Sequence, residues 1–237
     1  MDGILLVDKP VGWTSFDVVN KIRRIIEQNG LNHTARKRFP VGHTGTLDPM
    51  ATGLLVLLLG NYTKRAPELV KLDKTYEVTM RLGQTSTTGD EEGEKSTVST
   101  RKPLPEAVEA ALGQFVGNIQ QTPPAYSAVK VNGQRAYKLA RAGKEVSLES
   151  RTVTIHAIQN VSYKYPAVTF TAKVSSGTYI RSLVEDVGKQ LGTGAYMSAL
   201  RRTEVGPFQL ARALTIAQCT PEGISGHIFT IEAIKSE

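Results

Sequence analysis

A single cysteine, Cys219, stands in a chain of 237 residues. It can form no intramolecular disulfide, and it leaves too few sulfur ligands for a structural zinc site. Histidine is nearly as sparse: His33, His43, His156 and His227 lie far apart and lack ligand spacing. No glycine loop ends in Gly-Lys-Ser/Thr, and Gly192-Thr193-Gly194 follows a helical pattern rather than opening one, which sets aside the common phosphate-cradling loops. No Gly-x-Ser-x-Gly nucleophile elbow is present. The longest purely apolar stretch, Leu54 to Leu59, is far short of a membrane span, and the first residues have too brief an apolar run for a signal peptide. These absences predict a cytoplasmic protein, and they leave carboxylate chemistry near cations, without a metal.

Charge is what the chain has in surplus. Lysine and arginine number 29 against 22 acidic residues, a formal net charge of +7 with a pI near 9.5. Such an excess favours a polyanionic partner, whether nucleic acid, an anionic membrane surface or a phosphorylated substrate. A soluble protein that merely happens to be basic fits the charge equally well.

Periodicity organises the chain. A short strand is expected at Ile4 to Val7, then a turn at Lys9-Pro10-Val11-Gly12, then a helix from Thr14 or Ser15. Val18, Val19, Ile22, Ile25 and Ile26 share one face of that helix, and Thr14 with Asp17 resembles a capping box. Asn29-Gly30 ends it, and a basic loop follows around Arg36-Lys37-Arg38. Two segments alternate strictly: Tyr76, Val78, Met80 and Leu82 oppose Glu77, Thr79 and Arg81, and Val168, Phe170, Ala172 and Val174 oppose their polar neighbours. Val153 to Val161 is the expected antiparallel partner of the second, joined through Tyr165-Pro166. Helices are predicted from Pro105 to about Phe115 and from about Ile180 to Leu191, stopped by Gly192. Thr85 to Glu94 reads as a solvated acidic loop. Strands and helices do not alternate regularly, so the fold class is α+β with a largely antiparallel sheet.

Two stretches stand out chemically. In Val41-Gly42-His43-Thr44-Gly45-Thr46-Leu47-Asp48-Pro49-Met50-Ala51-Thr52-Gly53, three glycines and a proline shape a loop around one carboxylate. Spacing alone favours Asp48 as a helix N-cap with Pro49 at the first helical position, over a catalytic carboxylate. In Ser175-Ser176-Gly177-Thr178-Tyr179-Ile180-Arg181-Ser182-Leu183, Arg181 sits at the wrong end of a helix dipole. It requires an anion, a carboxylate or a phosphate; otherwise it is a surface arginine reaching into solvent.

Taken in order, six motifs resemble those of the bacterial tRNA pseudouridine-55 synthases, over nearly the whole chain. They are Lys9-Pro10-x-Gly12-x-Thr14-Ser15, Gly42-His43-Thr44-Gly45-Thr46-Leu47-Asp48-Pro49-x-Ala51-x-Gly53, and Lys74-Thr75-Tyr76. Gln121-x-Pro123-Pro124-x-Tyr126-Ser127-Ala128-x-Lys130, Gly177-Thr178-Tyr179-Ile180-Arg181 and Leu200-Arg201-Arg202-Thr203-x-x-Gly206-x-Phe208 complete the set. The resemblance implies a pseudouridine synthase fold, a long and mostly antiparallel sheet with a central catalytic cleft flanked by helices. It implies a catalytic domain over residues 1–210 and a short extension over 211–237 without a full appended RNA-binding domain. It also implies isomerisation of the T-loop uridine of tRNA, with no cofactor, no membrane and no protein partner, by a monomer.

Residue by residue, the resemblance makes Asp48 the nucleophile and Arg181 its partner, has Tyr76 stack on the target base, and lines the pocket with Tyr179. His43 would contact the RNA and Leu200 would close the pocket. Lys64-Arg65, Arg141, Lys144 and Arg201-Arg202 are candidate phosphate contacts. Alternation alone makes Tyr76 a core residue, and His43 beside glycine an ordinary loop histidine. The competing reading of the chain is a tRNA-binding or folding protein on the same fold that has lost catalysis; retention of Asp48, Tyr76, Tyr179 and Arg181 together argues for the enzyme.

Overall fold

A computed structural model describes residues 1–31, 38–127, 129–131, 133–144 and 146–230. His33, Arg36 and Lys37 of the basic loop, and Ala128, lie outside the described residues, as does the side chain of Arg141. The chain divides into two compact units, Met1–Tyr76 with Arg201–Glu237, and Glu77–Leu200.

The first unit opens with β1 (Gly3–Lys9), α1 (Ser15–Gln28), β2 (Val41–His43), β3 (Thr52–Leu59), a one-turn α2 (Ala66–Leu69) and the start of β4 (Lys74–Leu82). The second unit continues β4 into the hairpin β5 (Gln84–Ser86) and β6 (Lys95–Thr97), α3 (Pro105–Gly113) and β7 (Gly117–Gln121). The pair β8 (Lys130–Val131) and β9 (Gln134–Arg135), α4 (Ala136–Arg141), β10 (Arg151–Lys164), β11 (Ala167–Val174) and α5 (Ile180–Gln190) follow. Along β12 (Ala195–Val205) the chain returns to the first unit, which closes with β13 (Phe208–Gln209), β14 (Leu214–Thr215), α6 (Pro221–Gly226) and β15 (Ile228–Phe229).

In the first unit the strand order is β14-β1-β3-β12. The apolar run Leu54–Leu59 is the central strand β3, and it is apolar throughout because both of its faces are covered. Leu55, Leu57 and Leu59 join Leu5 and Val7 beneath Val18, Val19, Ile22 and Ile26 of α1. Leu54, Val56 and Leu58 face the other way, onto Ile4, Leu6, Leu69, Val205 and Phe208. Fully burying one such side chain stabilises by roughly 1.5–3 kcal/mol. The α1 capping box forms as its spacing predicts: Thr14 Oγ1 accepts from Asp17 N at 3.0 Å, and Thr14 N donates to Asp17 Oδ2 at 2.8 Å.

One edge of β3 pairs antiparallel with all of β1. The other edge is shared, antiparallel with β2 along Leu57–Leu59 and parallel with β12 at Thr52 and Gly53. The loop carrying Asp48 leaves β2 at His43 and enters β3 at Thr52, where Arg201 and Arg202 of β12 pair with it. Gly53 has a φ of +99°, and a Cβ there would fall 2.3 Å from the carbonyl oxygen of Arg202, so this strand contact admits only glycine.

In the second unit the order is β4-β11-β10-β7. β10 and β11 form the expected antiparallel hairpin through Tyr165-Pro166, and β7 pairs antiparallel with β10, Gln121 opposite Arg151. The burial of β4 alternates as predicted, with Tyr76, Val78, Met80 and Leu82 inside. α3 and α5 stop two residues and one residue before their predicted ends, at Gly113 and Gln190.

Candidate active site

In the first unit the opening motif and the Asp48 loop form one assembly. Lys9, fully buried, donates from Nζ to the carbonyl oxygens of Pro10 at 3.0 Å, Trp13 at 2.6 Å and Pro49 at 3.3 Å. Gly12 N donates to the same Pro49 oxygen at 2.8 Å. Ser15 Oγ accepts from Leu47 N at 2.8 Å and donates to Leu47 O at 3.1 Å. The residues before and after Asp48 are therefore both tied to the chain around α1's start. Deeper in the loop, Arg202 donates from Nη2 to Gly45 O at 3.0 Å and from Nε to Leu54 O at 2.7 Å.

Asp48 itself is half-buried, in a turn closed by Ala51 N donating to Asp48 O at 3.1 Å. β3 follows at Thr52, so no helix begins here and the N-cap reading fails: Pro49 opens a turn into a strand. His43 is not in a loop either; it ends β2 opposite Leu57, and its Nδ1 accepts from Gly45 N at 3.3 Å. That bond assigns the neutral ring's proton to Nε2. Burial, with Arg202 nearby, holds His43 below the ordinary imidazole value. Burial and the same arginine bring Lys74 down to about 8. The Asp48 loop is thus bordered by buried cationic side chains, Lys9, Lys74 and Arg202.

A second assembly lies in the second unit. The buried carboxamide of Gln121 takes both backbone groups of Tyr179, accepting from its N at 2.7 Å and donating to its O at 3.0 Å. Ser182 Oγ donates to Thr122 O at 3.0 Å, and Arg181 Nη2 to Tyr126 O at 2.7 Å. The Gln121–Tyr126 motif thereby brackets Gly177–Arg181, as the opening motif brackets Asp48.

Arg181 is only 6% exposed, so it does not reach into solvent. Its Nη1 lies 3.4 Å from Asp90 Oδ2 and donates to Thr88 O at 3.1 Å. Asp90 is 2% exposed and accepts further from Thr88 Oγ1 at 2.5 Å and Glu92 N at 3.1 Å. The segment expected as a solvated acidic loop supplies a buried carboxylate, because the β5–β6 hairpin folds it inward. Beside the pair, burial raises the Glu185 carboxyl above its usual range. Asp90 was missed by sequence reasoning, although the demand of Arg181 for an anion was its one signal.

Tyr76 is buried on β4, Tyr179 is half-buried at the start of α5, and Leu200 is half-buried on β12. Asp48, His43 and Tyr76 belong to the first unit, and Tyr179, Arg181 and Leu200 to the second. The pair Arg201-Arg202 is not a surface phosphate contact as a whole. Arg202 is 1% exposed with its guanidinium spent on two carbonyls, while Arg201 pairs with Asp8 at 2.8 Å. Arg65 is bound to Glu68 at 3.2 Å.

Comparison with known proteins defines the class as an RNA-uridine isomerase. Residues 33–180 match the TruB family pseudouridylate synthase N-terminal domain, and residues 181–221 the tRNA pseudouridylate synthase B C-terminal domain. The chain belongs to the TruB family of pseudouridylate synthases. The tRNA pseudouridine synthase B of Burkholderia mallei (strain NCTC 10247) is 49% identical over 216 residues, 91% of this chain and 68% of that protein. That of Cupriavidus metallidurans is 47% identical over 218 residues, 91% of this chain and 66% of its relative. Among solved structures, a chain of a Cbf5-Nop10-Gar1 complex superposes with a TM-score of 0.73 at 29% identity, over 98% of this chain and 61% of that one. An H/ACA RNP bound to a substrate RNA containing 2′-deoxyuridine gives 0.70 at 26% identity, over 98% and 60%. The chain thus spans about two thirds of the curated relatives it matches and about three fifths of these structures.

Proposed function

We propose that this pseudouridylate synthase isomerises the T-loop uridine of tRNA, position 55, with Asp48 as its essential carboxylate. The observation that carries the reading is the bracketing of Asp48 by Lys9 and Ser15, which holds one half-buried carboxylate in a turn bordered by cations. The family match and the names of the relatives support the substrate, and the net charge of +7 suits a polyanion.

Pseudouridylation breaks the N1–C1′ glycosidic bond, turns the uracil and rejoins it through C5. The fragments never separate, so a lone carboxylate suits the reaction better than the paired carboxylates of hydrolytic glycosidases, which admit and activate water. Asp48 acts in its ionised form. The nucleotide must be flipped out of its stack, at a cost of a few kcal/mol. Stacking on the Tyr76 ring returns about 1–3 kcal/mol. Tyr179 and Leu200 contact the flipped base, neutral His43 contacts the RNA through Nε2–H, and Arg181 is the catalytic cation. The reaction calls for no cofactor, and the enzyme works in the cytoplasm, where its tRNA is.

The test is to map pseudouridine in tRNA before and after incubation with wild-type protein and with Asp48→Asn. One new pseudouridine, in the T-loop, is expected with wild type and none with the variant, whose tRNA affinity stays within a few-fold because loop size and polarity are kept. Modification at another site would overturn the substrate. Near-normal turnover by Asp48→Asn would overturn the role of the carboxylate and favour a binding protein built on this fold.

A further inference from the structure

Tyr179 has a second keeper besides Gln121. Arg151, the first residue of β10, lies directly opposite Gln121 in the β7–β10 register, so the two side chains rise from the same face of the sheet. Gln121 takes the backbone of Tyr179 and Arg151 takes its ring, with the guanidinium carbon 5.0 Å from the ring centroid. Arg151 Nη2 also donates to Gly177 O, two residues before the tyrosine. Gly177 turns the chain at a φ of +84°, a left-handed conformation suited to glycine. Tyr179 begins α5 at φ −100° and ψ 110° without a side-chain capping bond, so the helix does not fix its side chain.

We infer that Arg151 is a positioning residue for the isomerisation, holding the Tyr179 ring in the orientation that meets the substrate base. The inference rests on Tyr179 contacting the substrate. A planar guanidinium can lie over the ring while one edge reaches the Gly177 carbonyl; an ammonium makes either contact but has no plane to serve both. The buried Nε of Arg151 has no hydrogen-bond partner among the described residues, so the contacts of the guanidinium among them are the Tyr179 ring and the Gly177 carbonyl.

Arg151→Met keeps the aliphatic stem and removes the cation. At saturating tRNA its single-turnover rate should fall about tenfold while KM and tRNA affinity change less than threefold. Arg151→Lys should recover part of the loss. In a Tyr179→Leu background the same Arg151→Met change should cost less than twofold, because its target is gone. Independently of turnover, the ring signal of ¹³C-labelled Tyr179, assigned by its loss in Tyr179→Leu, should shift in Arg151→Met while the Gln121 and Ile180 amide signals stay. A raised KM with an unchanged rate would make Arg151 a phosphate contact and overturn the inference. So would a tenfold loss persisting without Tyr179, or an unmoved ring signal. Full activity of Tyr179→Leu would instead defeat the role of Tyr179 itself, and absence of pseudouridine with wild type would defeat the proposed function.

Discussion

Removing the Asp90 carboxylate separates two accounts of the ion pair it makes with Arg181. An exposed pair contributes about 0–1 kcal/mol, whereas breaking a buried one costs about 3–5 kcal/mol because a desolvated charge remains. Here the two side chains are 3% and 7% exposed and 3.4 Å apart, so the buried regime applies. Arg181 keeps its bonds to Thr88 O and Tyr126 O after Asp90→Ala, which moderates the loss, but Thr88 Oγ1 and Glu92 N lose their acceptor. The lower end of the range, about 3 kcal/mol, is the expected destabilisation. Asp90→Asn should cost less, since an amide oxygen still accepts from Thr88 and Glu92. Urea unfolding followed by far-ultraviolet circular dichroism measures both. A double-mutant cycle with Arg181→Met isolates the pair, and its coupling should exceed about 1 kcal/mol. A loss below about 1 kcal/mol for Asp90→Ala, with no coupling, would refute the reasoning and return the segment to the solvated loop that its composition suggests.

Lys9→Met takes the buried donor from the Pro10 and Trp13 carbonyls, while Pro49 O keeps its bond from Gly12 N, so it should destabilise by about 2 kcal/mol and lower kcat more than it weakens tRNA binding, read by unfolding and single-turnover assays. Lys74 is held near 8 against an ordinary 10.5, so between those values the unfolded chain binds more protons than the folded one. Stability from this group therefore rises as pH increases from about 8 to 10.5, and the difference between wild type and Lys74→Met in unfolding free energy should rise over that window; a flat difference would place Lys74 in solvent. An isolated T-arm hairpin should be modified within about tenfold of full tRNA, or roughly 1.4 kcal/mol in transition-state binding, and an inert hairpin would place essential contacts beyond the T-arm. Affinity should fall steeply with salt as lysine and arginine contacts release counterions, and a shallow slope would detach the net charge from RNA binding.

Some of this protein could be read from its sequence because the forces concerned act over a few residues. The Thr14–Asp17 cap spans one helical turn, the alternation of β4 and β11 is a property of the extended backbone, and the β10–β11 hairpin turns within two residues. The motifs also single out the residues proposed for the site. What they do could be decided only by contacts that close long loops. Ser15 and Leu47 are 32 residues apart, Lys9 and Pro49 40, Gln121 and Tyr179 58, Thr88 and Arg181 93, and Arg202 and Gly45 157. Local propensity misled wherever such contacts prevailed. Asp48-Pro49 has the chemistry of a helix start, yet pairing of the following residues with β1 and β12 draws the chain into a strand. Asp90 has the company of a solvated loop, yet it is buried against the Arg181 guanidinium, which supplies its counter-charge. Hydrophobic pattern and turn chemistry are encoded residue by residue, but a buried polar group is satisfied only by whatever the fold brings to it, and that partner has no signature in its own neighbourhood of the chain.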